Sequence, residues 1–213
     1  LHGAYGKLWL ERGGVFVLAN IRGGGEFGPA WHHAAMKEKH VKAFEDFEAV
    51  ARDLAVKKIT SPAHLGIEGR SNGGLLVSAT MLRHPELYGA VVCGNPLIDM
   101  QRYSHLLAGA SWMGEYGNPD VRAEWAYISK YSPYQNVRPG MKLPPILFYT
   151  TTRDDRVHPG HARKMAAKME AMGYAVEYCE NTEGGHHGSV TSEQLAKRLA
   201  STYTFLWEKL GPR

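Results

Sequence analysis

Leu65-Gly66-Ile67-Glu68-Gly69-Arg70-Ser71-Asn72-Gly73-Gly74 runs a strand-like segment straight into a Gly-x-Ser-x-Gly turn. A serine in that pattern serves chemistry in one context, a strained turn between strand and helix that lifts its hydroxyl clear of the sheet. Flanking glycines relieve the crowding of such a turn, and the N-terminus of the following helix favours developing negative charge. Residues 65–69 read as the strand. Residues 74–83 read as the helix, stopped by His84-Pro85 because the residue before proline is pushed out of the helical region. The competing reading is a glycine-rich turn with a capping serine, and the strand before and helix after weigh against it.

Outward from this turn the same alternation recurs. Val15-Phe16-Val17-Leu18-Ala19-Asn20 reads as a buried strand, and residues 43–57 as a helix with Phe44, Phe47, Val50, Ala51 and Leu54 at helical spacing. Further strands are expected at 90–93, 145–151 and 175–180, with helices at 161–172, closed by Gly173, and at 192–210. Residues 100–140 are irregular and rich in aromatics. This order predicts an α/β fold, a mostly parallel sheet with helices on both faces. The 213 residues suffice for one domain with a substantial core.

A serine hydroxyl is inert at neutral pH and needs a base oriented by a carboxylate. When the nucleophile sits on this kind of turn, the acid and then the histidine follow it in the chain, each after a strand end. Thr150-Thr151-Thr152-Arg153-Asp154-Asp155 follows the strand at 145–151, and Gly184-Gly185-His186-His187-Gly188 follows the strand at 175–180. Order and placement agree for all three groups. Spacing alone leaves open which of Asp154 and Asp155, and which of His186 and His187, would act.

Composition removes other classes. Hydrophobic residues make up 44% and charged residues 22%, and the net charge of +4 is spread among acids. Lys37 to Lys42, which includes Glu38, reads as a solvated face, so nucleic acid is not an expected partner. No apolar run approaches the ~20 residues of a membrane helix. Cys93 and Cys179 both fall in apolar strand-like segments and read as two buried thiols. That fits a reducing compartment, so a cytoplasmic location is expected. The chain shows no leader, but it starts at Leu1 and not at Met, so a periplasmic location stays open. Gly23-Gly24-Gly25-Glu26-Phe27-Gly28 matches a dinucleotide fingerprint with Asp46 downstream, but Asp46 lies in a helical run and the next strand starts only at Leu65. His32, His33 and His40 lack metal-ligand spacing, and no metal or cofactor is expected.

The series Ala19-Asn20-Ile21-Arg22-Gly23-Gly24-Gly25-Glu26-Phe27-Gly28, Arg70-Ser71-Asn72-Gly73-Gly74-Leu75-Leu76, Trp112, Tyr116-Gly117, Lys130-Tyr131-Ser132-Pro133, Asp154-Asp155-Arg156-Val157 and Gly185-His186 resembles the prolyl oligopeptidase family of serine peptidases. The resemblance is nearly continuous from Gly13 to His186. It implies an α/β-hydrolase fold and cleavage of short peptides on the C-terminal side of proline through an acyl-enzyme. It also implies Ser71, Asp154 and His186 as the triad and the backbone N–H of Asn72 as one oxyanion donor. Arg156 would hold a substrate carbonyl, and Trp112 would stack on a proline ring in a pocket lined by Tyr116, Val157 and Leu97. Related alternatives are an oligopeptidase preferring basic P1 residues, an esterase, or a catalytically incomplete remnant.

Two local departures stand out: Arg70 replaces the family's usual glycine, and could crowd the elbow or reach an acid, and His187 replaces a small residue and could compete with His186. The resemblance also places the third strand, with its second oxyanion donor, and a β-propeller upstream of Leu1. Residues 1–213 are therefore expected to be a partial catalytic domain with an open sheet edge at 15–20. His2-Gly3 precedes the wrong strand for an oxyanion motif and reads as loop.

Overall fold

Along β2 the apolar side chains of Ala90 and Val92 point one way and those of Val91 and Cys93 the other, so the strand must lie between two helical layers. The computed structural model, which describes residues 3–211, has that architecture. In chain order the elements are α1 (Gly3–Leu8), α2 (Pro29–His33), α3 (Val41–Val56), β1 (Gly66–Arg70), α4 (Asn72–Arg83), β2 (Ala90–Gly94), α5 (Met113–Tyr116), α6 (Arg122–Ile128), α7 (Pro133–Asn136), β3 (Ile146–Thr151), α8 (Gly160–Ala171), β4 (Val176–Asn181) and α9 (Ser192–Leu210). The four strands are parallel and adjacent in the order β1-β2-β3-β4. Each return to the next parallel strand needs a crossover, supplied by α4 between β1 and β2, by the segment holding α5, α6 and α7 between β2 and β3, and by α8 between β3 and β4.

On one face, Val91, Cys93, Ile146 and Phe148 pack against Val77 and Met81 of α4 and Met165 and Met169 of α8. On the other, Ala90, Val92, Leu147 and Tyr149 meet Tyr203, Leu206 and Leu210 of α9. The Trp9 ring, just after α1, lies 4.8 Å from that of Trp207, whose indole N–H donates to the Leu8 carbonyl at 3.0 Å. A third cluster joins Phe44 of α3 and Leu75 and Ala79 of α4 to Leu97, Met100, Tyr103, Tyr116, Ile128, Tyr131 and Val157.

Several expectations need correction. The strand read at 15–20 does not form. Val15 and Leu18 are 61% and 77% exposed, and none of β1–β4 pairs with the segment. An apolar run becomes a strand only when a neighbour completes its hydrogen-bond ladder, and β1 pairs with β2 alone among the described residues. The open sheet edge therefore lies along β1 and not along 15–20. Cys179 is exposed while Cys93 is buried, because β4 is an outer strand with only partial cover and β2 is central. The irregularity read at 100–140 has a source: the segment holds the short turns Tyr103–His105 and Leu107–Trp112 and the helices α5, α6 and α7, each too short to leave a period in the sequence. Gly3 opens α1, and His2 lies outside the described residues. Among the described residues no helix is long and apolar enough to cross a membrane.

The unequal burial of the two thiols is testable. Burial pushes the Cys93 thiol up to about 12, and its sulfur lies 3.0 Å from the Ser78 hydroxyl. A thiol reagent should titrate Cys179 in the native protein and Cys93 only after unfolding, since the thiolate is the reactive form. Two rapidly reacting thiols without denaturant would contradict this packing.

Candidate active site

The turn between β1 and α4 is fixed by close backbone approach. A Cβ at Gly69 would overlap the Gly73 carbonyl, and one at Gly74 would lie 2.7 Å from the Pro96 side chain. Only glycine lets the chain reverse here, and the reversal leaves Ser71 at φ 59°, ψ −115°. A non-glycine residue so placed costs about 1–3 kcal/mol. Three backbone hydrogen bonds hold it there: Ser71 N–H donates to Gly94 O at 2.9 Å, and Ser71 O accepts from Leu75 N–H at 3.2 Å and Leu97 N–H at 3.3 Å. At about 0.5–1.5 kcal/mol net each, they offset the strain. Asn72 then opens α4, where the first N–H groups have no acceptor inside the helix and the helix dipole is positive.

Two loops bring the other groups to Ser71. The Ser71 hydroxyl lies 3.1 Å from His186 Nε2, and His186 Nδ1 lies 2.8 Å and 3.0 Å from the two oxygens of Asp154. Asp154 is buried, so its ionised state needs several donors. Beyond the imidazole it accepts the backbone N–H groups of Arg156 and Val157, both at 2.9 Å, and the Asn95 amide at 2.8 Å. Burial works to raise its pKa, but the bonds from His186 and the two backbone amides outweigh it and hold the carboxyl below its ordinary 3.8. An ionised Asp154 can only accept, so Nδ1 carries the proton and Nε2 is left to accept from the serine hydroxyl. Such an arrangement can pass a proton from serine to imidazole as the oxygen attacks a carbonyl.

The adjacent residues are placed differently. Asp155 does not meet the imidazole; its carboxylate accepts the backbone N–H of His186 at 3.1 Å. His187 is exposed, with its ring 6.4 Å from that of His186. Arg70 reaches no acid among the described residues and donates instead to the backbone carbonyl of His186. Asp46 sits in α3 and pairs with Arg22, with Arg22 Nε at 2.8 Å, which ties the glycine-rich loop to that helix. The sequence does not single out Asn95 as a site residue. Asn95-Pro96 after a strand signals a turn, but nothing local says that its amide faces a carboxylate.

Leu97, Tyr116 and Val157 are buried in one cluster, and Trp112 packs half-buried against it. The Tyr116 hydroxyl donates to Asn72 Oδ1 at 2.7 Å, which links this cluster to the residue beside Ser71. Arg156 is exposed and its guanidinium has no ion pair among the described residues, while its carbonyl accepts from Ala108 N–H at 3.3 Å.

A parallel sheet carrying a strained serine elbow, with an acid and a histidine on later strand ends, defines an α/β-hydrolase domain. The prolyl oligopeptidase family model matches residues 5–213, and the chain belongs to that family. It is 52% identical over 205 residues to a Sinorhizobium fredii protein named Uncharacterized peptidase y4nA, covering 96% of this chain and 28% of the relative. It is 36% identical over 212 residues to a prolyl endopeptidase of Elizabethkingia miricola, covering 96% and 30%. The solved structure of a post-proline cleaving enzyme from Rickettsia typhi superposes with a TM-score of 0.93 at 42% identity, covering 97% of this chain and 30% of that one. The chain thus spans about three tenths of the length of these relatives.

The Asp154 environment sets a pH dependence of stability. A carboxyl held lower in the folded than in the unfolded state stabilises the fold above the unfolded value, and that contribution is lost as pH falls through the folded value. The stability of the protein should therefore drop below about pH 4, and Asp154→Asn should flatten that limb in denaturant titrations. Parallel curves for the two proteins would mean that Asp154 is not held low.

Proposed function

We propose that the chain is the catalytic part of a serine peptidase that cleaves short peptides on the C-terminal side of proline, with Ser71, His186 and Asp154 as its triad. The observation that carries the reading is the unbroken hydrogen-bond chain from Asp154 through His186 to Ser71 at the strained elbow. Ser71 Oγ attacks the carbonyl carbon of the prolyl residue while His186 Nε2 takes its proton. The negative charge that develops on the carbonyl oxygen falls near the Asn72 N–H at the start of α4. His186 returns the proton to the leaving amine, an acyl-enzyme remains, and water attacks it by the same route in reverse. Asp154 keeps the imidazole in the tautomer that can accept and stabilises the charged ring.

Specificity for proline draws support from the relatives' names, prolyl endopeptidase and post-proline cleaving enzyme. Trp112 offers a flat surface beside Tyr116, Val157 and Leu97, and the free Arg156 fork suits a substrate carbonyl. The reading assigns a second oxyanion donor and a β-propeller to sequence upstream of residue 1, in keeping with the greater length of the relatives.

In the intact enzyme Ser71→Ala or His186→Ala should lower kcat about 10⁶-fold, as members of a triad acting together do. Asp154→Asn should lower it about 10⁴-fold. A fluorophosphonate should label Ser71 in the parent and leave Ser71→Ala blank. Greater damage from Asp155→Asn than from Asp154→Asn would sink the assignment.

Trp112→Ala should reduce turnover of proline substrates more than of alanine substrates, because a stacked aromatic contact is worth about 0.5–1.5 kcal/mol beyond its buried area. Equal losses on both would make Trp112 a core residue only.

A further inference from the structure

We propose that Arg70 and Asp155 are positioning residues that grip the main chain of His186 from both sides and thereby set its imidazole against Ser71. The inference rests on the reading of His186 as the base.

The loop that carries His186, residues 184–189, belongs to no helix or strand, so its peptide groups must find partners elsewhere. Three consecutive main-chain groups find them on side chains from distant parts of the chain. The Gly185 carbonyl accepts from the Thr151 hydroxyl at the end of β3, at 2.9 Å. The His186 N–H donates to Asp155 Oδ1 at 3.1 Å, and the His186 carbonyl accepts from the Arg70 guanidinium. One further bond, Gly188 N–H to Gly185 O at 2.9 Å, closes the turn on itself.

The positions of the two charged residues carry the argument. Arg70 immediately precedes Ser71, and Asp155 immediately follows Asp154. Each therefore ties the backbone of the histidine to the neighbour of one of its two side-chain partners. A shift of the loop relative to the elbow or to the acid would stretch a charge-assisted hydrogen bond, the stronger kind. Both charges are otherwise unexplained. Among the described residues Arg70 has no carboxylate partner and Asp155 no cationic side chain within ion-pair distance. A glycine at 185 fits the same picture, since a Cβ there would stand 3.0 Å from Asp155 Oδ1. Asp155 is exposed, yet the His186 N–H foremost holds its carboxyl below the ordinary range, so it stays ionised across neutral pH.

The imidazole bonds alone leave a degree of freedom. A ring held at Nδ1 by Asp154 can still pivot about that bond, and Nε2 would swing away from Ser71. Fixing the peptide on both sides of the Cα removes the pivot. A misplacement of about 1 Å at a reacting group can cost on the order of 10²-fold in rate.

The test is a set of kinetic comparisons in the intact enzyme. Arg70→Ala and Asp155→Ala should each lower kcat by about 10- to 100-fold with KM unchanged. Arg70→Lys and Asp155→Asn, which keep a donor and an acceptor, should recover most of the loss. The decisive comparison uses His186→Ala as background, where adding Arg70→Ala or Asp155→Ala should cost nothing more, because both act through His186. An equal loss in both backgrounds would overturn the proposal and place the two residues on the elbow or the substrate. A fall in Tm with kcat intact would also overturn it and leave them a purely structural role. Should Arg70→Ala fail to fold, Arg70→Met, which keeps an apolar stem but no donor, replaces it, and an unchanged kcat there counts against the clamp. Full activity of His186→Ala itself would instead remove the underlying assignment of the base, an outcome separable from any behaviour of Arg70 and Asp155.

Discussion

The close approach of Gly69 to Gly73 is the constraint on which the rest depends. A Cβ at Gly69 would collide with the Gly73 carbonyl, and the turn that this close approach permits forces Ser71 into a backbone region that ordinary residues avoid. The strain is tolerable because both flanks are anchored. β1 continues into the sheet through the bond from Ser71 N–H to Gly94 O, and α4 is buried on two sides, against the sheet through Val77 and Met81 and against the third cluster through Leu75 and Ala79. The helix that supplies the positive end beside Ser71 is thus also the helix that joins the two cores. Loosening it would relax the serine and the sheet together.

The groups facing Ser71 are governed by the cost of burying charge. A carboxylate taken out of water is strongly disfavoured unless donors replace its hydration. Asp154 has four: the His186 imidazole, two backbone amides from its own turn and the Asn95 side chain. The two backbone donors come from the local shape of residues 154–157, whereas Asn95 comes from the end of β2 and enforces the spacing between neighbouring strand ends. Asn95 itself adopts φ 38°, a second strained position at the same end of the sheet. Strain at Ser71 and Asn95, and a buried ionised acid between them, are what a site arranged for chemistry accumulates, and a packed core holds them in place.

The surface that would meet a substrate is built by a different logic. Tyr116 and Leu97 are core residues by burial, yet the hydroxyl of Tyr116 fixes the side chain of Asn72 beside the serine. Trp112 packs half-buried against that cluster, and the exposed Arg156 guanidinium has no ion pair among the described residues. Under the proposed reading, this apolar cluster with its one polar handle and the Arg156 guanidinium would receive the substrate. It also explains why the irregular region 100–140 matters: its short helices are held by packing onto α3 and α4 and not by any propensity of their own.

Much of this was legible in the sequence because it depends on local rules. The glycine pattern at 69–74, the strand before it, the helix after it and the strand-end positions of Asp154 and His186 all follow from steric and periodic constraints that act within a few residues. Strand formation at 15–20 was not determined that way. Its apolar run is as strand-like as β2, but a ladder needs a partner, and pairing is a property of neighbours. The same holds for Cys179, whose burial depends on which strand is outermost. Tertiary structure alone decided that Asn95 faces Asp154, that Arg70 turns to a carbonyl and not to an acid, and that Asp155 holds a backbone amide instead of an imidazole. Residues adjacent in sequence can take opposite directions at a loop, and only the arrival of a distant segment determines which group each will meet.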